Sequence, residues 1–345
     1  MKPSITILEK RPNYIKFLVE NTTCHFMNYF RRVIKRDVPT LAIEDVFIVE
    51  NTTVYDGERI AHILGLIPLK VSIRKLMKRY KTIECTVEKS EAAEELYKKI
   101  ASSTHHPIEC IERDGMLTMK MTVPSEEARG LVKTMRELIK ESGLKKVKPV
   151  SRPPTIEELM KVVKVRVELT AENPSGGKKK ILTVYSGNME INDPAVKLVS
   201  KKIPIIKLAP GQRLVFEAIA VLGTGRKHAK WQPVSICAYQ YAPIIEVDNA
   251  LCTGCGRCVE ICPDKVLKMQ NGTLVIENAL NCSLCESCME VCDVGAINVD
   301  SDPTKIIFQC EGIGNLDLEE IFSLALEIMD NQVKNFKELV ESEVK

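Results

Sequence analysis

The sequence lacks the features that mark a membrane protein or a strong nucleic-acid binder. No apolar run reaches the roughly 18 residues of a membrane span, and Met1–Lys10 lacks the apolar block of a signal peptide. Aromatic residues make up only 5% of the chain, and the net charge is only +3. We therefore expect a cytoplasmic protein with no membrane partner and little or no direct nucleic-acid contact.

The chain has an ordinary globular composition apart from its cysteines. Its 345 residues are 45% hydrophobic and 28% charged, which suits two or three domains with buried cores. Thirteen residues are cysteine, and eight of these lie between Cys252 and Cys292. In a reducing compartment such a cluster indicates metal ligation and disfavours disulfides.

The cysteine-rich segment is an internal duplication with an offset of 30 positions. Each run has the spacing C-x2-C-x2-C-x3-C, which is that of bacterial ferredoxins with two 4Fe–4S clusters. In that arrangement the last cysteine of each run binds the other cluster. The predicted ligands are Cys252, Cys255, Cys258 and Cys292 for the first cluster, and Cys282, Cys285, Cys288 and Cys262 for the second.

Zinc and disulfides are the competing interpretations of these cysteines. A structural zinc site pairs two separated CxxC hooks around one tetrahedral ion, whereas here three closely spaced cysteines repeat as a unit. The second run departs from the ferredoxin pattern in one respect, because Asp293 stands where Pro263 follows the first run.

Periodicity places several elements outside this segment. An amphipathic helix is predicted over 24–36 and another over 125–141, with Gly143 as its C-cap. Alternating apolar residues predict short strands at 46–49 and 306–308, and Asp114-Gly115 predicts a hairpin turn. A long terminal helix with an apolar stripe follows the last strand.

Several longer motifs resemble the family of archaeal RNA polymerase D subunits, whose members are relatives of the bacterial alpha subunit. They are 26–32 (FMNYFRR), 37–43 (DVPTLAI), 60–69 (IAHILGLIPL), 211–213 (GQR), 223–233 (GTGRKHAKWQP) and 308–314 (FQCEGIG). Ile63 stands where many relatives have Arg. Some members of that family carry a ferredoxin-like insertion at the position of the cysteine-rich segment.

The resemblance implies an α+β fold with four parts. A discontinuous alpha-subunit-like dimerisation domain would occupy 1–50 and 304–345, and a β-rich platform (insert) domain would occupy 51–80 and 166–245. The block 81–165 departs from the family by its length, and we expect an extra α/β insertion of unknown role there. A bacterial-ferredoxin-like iron–sulfur domain would cover 246–303.

The same resemblance implies a non-catalytic assembly subunit of DNA-directed RNA polymerase, a nucleotidyltransferase, with no active site on this chain. It would form a heterodimer with subunit L and would contact subunits N and P and the large subunits. Candidate partner-binding residues are Asn28, Arg31, Arg32 and His62; a solvated helix face is the alternative for the arginines. The clusters would stabilise assembly or tune it with redox state. The alternative function is a ferredoxin-type electron-transfer subunit of an oxidoreductase, although no Gly-x-Gly-x-x-Gly fingerprint is present.

Overall fold

A computed structural model describes residues 2–113, 115–144, 147–175 and 181–343. The helices are α1 (Cys24–Arg36), α2 (Gly57–Gly65), α3 (Ile73–Arg79), α4 (Glu91–Ser103), α5 (Ser125–Glu141), α6 (Ile156–Val162), α7 (Arg257–Ile261), α8 (Ser287–Glu290) and α9 (Leu318–Glu343). None of these described helices combines the length and apolar character needed to cross a membrane.

The strands alternate with these helices along the chain. They are β1 (Ser4–Arg11), β2 (Tyr14–Glu20), β3 (Pro39–Asn51), β4 (Leu69–Lys70), β5 (Tyr80–Glu88), β6 (Ile108–Arg113), β7 (Met116–Pro124), β8 (Val150–Arg152), β9 (Lys164–Glu172), β10 (Leu182–Tyr185), β11 (Glu190–Ile191), β12 (Lys197–Leu198), β13 (Pro204–Leu208), β14 (Arg213–Thr224), β15 (Val234–Val247), β16 (Leu267–Gln270), β17 (Thr273–Ile276) and β18 (Ile297–Gly312). The strand pairs in this described part are antiparallel, and the predicted α+β class is confirmed at that level.

The chain divides into two compact units. One contains Met1–Val33 and Val234–Gly312, and the other contains Ile34–Pro233 and Ile313–Lys345. All five boundaries predicted from sequence fall inside strands: 50/51 in β3, 80/81 in β5, 165/166 in β9, 245/246 in β15 and 303/304 in β18.

The first unit contains a sheet of order β1-β2-β18-β15. Phe17 and Phe308 face each other at 5.3 Å between ring centroids, and Phe30 of α1 lies 5.6 Å from Phe308. The same two strands β15 and β18 continue into the cysteine-rich module, where β16 and β17 form a hairpin. Asn271 and Gly272 have φ values of +51° and +81°, as a tight I′ hairpin turn requires.

The second unit contains a sheet of order β11-β9-β14-β3, whose long β14 pairs with both β3 and β9. Helix α9 begins beside α3, where the Glu320 carboxylate accepts hydrogen bonds from Ser72 Oγ at 3.0 Å and from the Arg74 backbone N–H at 2.9 Å. Because the first amides of a helix have no partner within it, Glu320 caps the N-terminal turn of α3.

The block predicted as an extra α/β insertion forms a sheet of order β6-β7-β5-β8, with α4 and α5 between its strands in the chain order βαββαβ. Its core joins alternate residues of β5 and β7, such as Ile83 and Met119, to Leu96 of α4 and Met135 of α5. The insertion therefore has a hydrophobic core of its own. Asp114 of the predicted hairpin turn lies outside the described residues.

Candidate metal centre

The two cysteine runs have the same backbone shape. Gly254 and Gly256 have φ values of +72° and +73°, and the residues 30 positions later, Leu284 and Glu286, have values of +59° and +60°. Residues with side chains rarely adopt this left-handed conformation, so its repetition at Leu284 and Glu286 shows that the loop must turn in this way. Each loop then leads directly into a short helix, α7 or α8.

Four cysteines from the two runs line one cavity of about 130 Å³. They are the four that the sequence assigns to the first cluster: Cys252, Cys255, Cys258 and Cys292. Met269, Leu274 and Ile297 supply apolar walls. Three thiols therefore come from the first run, and the fourth comes from the end of the second run.

The second set has the reciprocal arrangement. Cys262, the last cysteine of the first run, lies close enough to Cys282 and Cys288 to interact electrostatically with both. Cys285 is near the same two side chains. Each predicted set of four is thus brought together from both runs.

Hydrogen bonds and burial act on these thiols in opposite directions. The Arg257 backbone N–H lowers the pKa of Cys255, and the Ser287 backbone N–H lowers the pKa of Cys285. Burial raises the pKa of Cys258. Cys292 Sγ accepts a hydrogen bond from the Ala296 backbone N–H at 3.3 Å. Amides that donate to sulfur favour thiolate, which is the form that binds iron or zinc.

The donor set fits a 4Fe–4S cluster in number and kind, because four thiols line one cavity. A 4Fe–4S cube is itself several ångströms wide, so its four thiolate ligands stand apart around a cavity. The cavity that Cys252, Cys258 and Cys292 share, with its apolar walls, has this character.

Sequence reasoning singled out Asp293 but missed two other charged residues near the sulfurs, Arg257 and Asp264. The Arg257 side chain donates a hydrogen bond to Cys255 and also forms an ion pair with Asp293. Asp264 accepts a hydrogen bond from the Ser283 backbone N–H at 3.0 Å, near Cys285. An alignment of the two runs at their 30-residue offset would have shown that Ser287 corresponds to Arg257 and that Val294 corresponds to Asp264.

A second packed constellation surrounds Trp231, within the motif 223–233. A Cβ added at Gly223 would lie 2.3 Å from the indole Cε2, so only glycine allows this approach. Thr40 Oγ1 donates to the Trp231 carbonyl at 2.8 Å, and Lys230 Nζ donates to the Ile43 carbonyl at 2.9 Å. The motif therefore fastens a loop to the start of β3.

Comparison with known proteins assigns the chain to a family. Residues 16–333 match the family described as RNA polymerase Rpb3/Rpb11 dimerisation domain. The chain belongs to this family. It is 31% identical to DNA-directed RNA polymerase subunit Rpo3 of Methanosphaera stadtmanae, with 99% of each chain covered. It is 29% identical to Rpo3 of Archaeoglobus fulgidus over 99% of each chain, and 28% identical to that of Aeropyrum pernix over 98% of this chain and 96% of the other.

The predicted partner-binding residues of this Rpb3/Rpb11-family chain lie on two helices. On α1, the Asn28 side-chain oxygen accepts two hydrogen bonds from Arg31, at 2.9 Å and 3.2 Å, and Arg32 is exposed. On α2, His62 is exposed. The structure thus places Arg32 and His62 at the surface, while Arg31 is fixed along its helix by Asn28.

The last turns of α9 expose an apolar stripe. Val333 is 61% exposed and Phe336 is 69% exposed, and Val340 follows at helical spacing with 44% exposure. The first half of the same helix buries Ile321 and Leu324 completely. One helix therefore contributes its first half to this chain's core and leaves an apolar surface on its second half.

Proposed function

We propose that this chain is a non-catalytic assembly subunit of an archaeal DNA-directed RNA polymerase, which acts in the cytoplasm. It pairs with subunit L, and the pair forms the platform for subunits N and P and the large subunits. Membership of a family named for its dimerisation domain, over residues 16–333, is the observation that supports this most strongly. The names of the Rpo3 relatives agree with it.

The exposed half of α9 is the surface that we assign to pairing with subunit L. The spacing of Val333, Phe336 and Val340 at i, i+3 and i+7 places them on one apolar face of the helix, which is exposed to water. Burying such a face against a partner's apolar side chains is favourable at roughly 25 cal/mol per Å².

Co-expression with subunit L tests this assignment. The double variant Phe336→Asp and Val340→Asp places two charges on the stripe and should abolish co-purification of the tagged chain with subunit L. Asn331→Asp adds a charge on the opposite side of the same helix and should leave pairing unchanged. Equal pairing of all three proteins, with the stripe variant folded by circular dichroism, would contradict the proposal.

The cysteine-rich module holds two 4Fe–4S clusters in this proposal. The grouping of three cysteines from one run with one from the other supports it, as do the backbone amides that donate to Cys255 and Cys285. When bound, the clusters would supply iron–thiolate bonds that fold a module with a small core, as structural metals do. This chain's own residues provide the thiolates, the donors to them and the apolar walls.

Anaerobic purification of the full chain tests the cofactors directly. Iron and acid-labile sulfide should be found in the amounts that two clusters require, and Cys258→Ser with Cys288→Ser should lower both and weaken assembly. Cys110→Ser is the control, because that thiol is exposed and lies in the insertion. A wild-type chain that contains zinc and no sulfide would refute the cluster assignment.

We further propose that redox state is linked to assembly, since oxidative loss of the clusters would unfold the module. Polymerase yield should then be lower from cells handled in air than from cells handled under argon. Equal yields in air and under argon would contradict the proposed link between redox state and assembly. The electron-transfer alternative is not favoured, because full-length similarity is to polymerase subunits.

A further inference from the structure

The first cluster site has a charged hydrogen-bond donor. Thr253 and Arg257 line the same cavity as Cys255. The Arg257 backbone N–H, the Arg257 guanidinium and the Thr253 hydroxyl all lower the pKa of Cys255. A guanidinium places a full positive charge beside the sulfur, and charge-assisted hydrogen bonds are about twice as strong as neutral ones.

The second site has the same arrangement with neutral donors only. The Ser287 backbone N–H, the Ser287 hydroxyl and the Ser283 hydroxyl lower the pKa of Cys285. Ser287 occupies the position 30 residues after Arg257, so the backbone donor is preserved while the charge is lost. The duplication thus provides an internal comparison of a charged and a neutral side chain at this donor position.

A carboxylate adds a second difference of the opposite sign. Asp264 is anchored by the Ser283 backbone N–H at 3.0 Å and acts electrostatically on both Cys282 and Cys285. The corresponding position at the first site is Val294, which lines the cavity of that site and carries no charge.

Asp293, which lines the same cavity, moderates the first difference. It pairs with Arg257, and the two side chains are 69% and 53% exposed. The carboxylate therefore faces water on much of its surface, whereas the guanidinium also donates to Cys255 itself. Solvent screens the more exposed group more strongly.

We propose that Arg257 and Asp264 give the two cluster sites unequal reduction potentials, so that the site of Cys252, Cys255, Cys258 and Cys292 is reduced first. This inference rests on the proposed clusters. Each site takes one electron from an external reductant, and the added negative charge is stabilised beside Arg257 and opposed beside Asp264.

A redox titration of the anaerobically purified full chain tests this order. The chain is reduced stepwise with dithionite and mediators and followed by electron paramagnetic resonance, after iron and sulfide analysis. The wild-type protein should show two separate one-electron steps. Arg257→Ser places at the first site the residue found at the second. It should reduce the difference between the two reduction potentials by lowering that of the first site. A tenfold change in the ratio of reduced to oxidised cluster corresponds to about 59 mV for one electron.

Three further variants separate the effect of charge on the potentials from that of altered structure. Asp264→Asn should also reduce the difference between the two potentials, by raising the potential of the second site. Arg257→Lys should retain part of the wild-type difference. Lys268→Ser removes one positive charge from β16 and should leave both potentials in place. Because Arg257 is half exposed, the wild-type gap should also shrink as salt is raised.

The outcomes distinguish this inference from the cofactor proposal. An iron-free wild-type chain would refute the proposed clusters and this inference together. A fully loaded chain in which Arg257→Ser leaves the gap unchanged, or widens it, would overturn only the inference. A single unsplit wild-type step would do the same.

Discussion

Cys292 lines the same cavity as Cys258, although the two cysteines come from different runs of the repeat. The last cysteine of each run therefore crosses to the other run's set. Crossing of this kind ties the two halves of the module together, because neither half holds four ligands by itself. The consequence for metal content can be measured with pairs of substitutions.

Two cysteine substitutions within one predicted ligand set should together remove no more iron than each substitution removes by itself. Cys258→Ala and Cys292→Ala belong to the same set, so the double variant should retain about one cluster per chain, as each single variant does. Cys292→Ala with Cys262→Ala should lose both clusters. Iron and sulfide per chain are the measured quantities. If the runs did not cross, these two double variants would no longer differ in this way, because Cys258 and Cys292 would then belong to different clusters.

Substitution of Gly223 by Ala should strongly destabilise the second unit. The new Cβ would lie 2.3 Å from Cε2 of Trp231, whose indole is buried. Overpacking of this kind costs about 1–3 kcal/mol. Urea unfolding followed by Trp231 fluorescence measures the loss. Gly130→Ala is the matched control: nothing lies within 4 Å of that helical position, so it should stabilise the protein, by about 1 kcal/mol.

The free energy of unfolding should decrease in acid, because the Glu158 carboxylate becomes protonated. Burial acts to raise the pKa of this carboxyl, but hydrogen bonds from Arg152, the Thr155 backbone and Thr82 lower it to about 2. A folded-state pKa below the unfolded value of about 4.3 contributes stability that is present above that value and is lost as pH falls towards 2. The contribution at neutral pH is on the order of 2–3 kcal/mol.

Glu158→Gln should therefore unfold more easily than the wild type at pH 7, and the difference should shrink between about pH 5 and pH 2. Urea midpoints across that range measure it. Glu157→Gln changes an exposed neighbour and should follow the wild-type curve. A constant difference between Glu158→Gln and the wild type at all pH values would contradict the assignment.

Glu320→Ala should loosen the contact between α9 and α3. It removes the acceptor for the Arg74 backbone N–H and for Ser72 Oγ. Loss of a helix cap costs about 1 kcal/mol, which a thermal unfolding curve resolves. Glu338→Ala alters an exposed residue of the same helix and should have little effect. Equal melting of these two variants would show that Glu320 is dispensable as a cap.

Elements with a clean local signal were predicted well. The helices at 24–36 and 125–141 were located correctly at both ends, because each has one apolar face and flanking residues that stop a helix. The cysteine sets were assigned from the match to ferredoxin spacing and stay a prediction as ligand sets. In the structure, the four cysteines of the first set line one cavity. Whether iron binds to the two sets is a prediction that chemical analysis will test.

Strands were located less accurately, because the alternation rule applies only to strands with one wet face. The prediction at 46–49 found the alternating end of β3, but its first five residues, Pro39–Ile43, are all buried and show no period. Likewise, β18 extends from Ile297 to Gly312 through the polar residues 300–302. Their place in the strand depends on pairing with β15, which is distant in sequence and leaves no local signal.

The β15–β18 ribbon joins the cysteine-rich module to the sheet that contains Phe308. Its register runs from Val247 and Ile297 at the module to Val234 and Gly312 at the far end. The ladder has an irregularity between Tyr241 and Ala242, where residues 303–305 have no partner on β15. The paired segments on both sides of it belong to the same two strands, so the ribbon connects the cysteine-rich module directly to the sheet. Hydrogen exchange in β18 near Phe308 should therefore respond to events at the metal ligands.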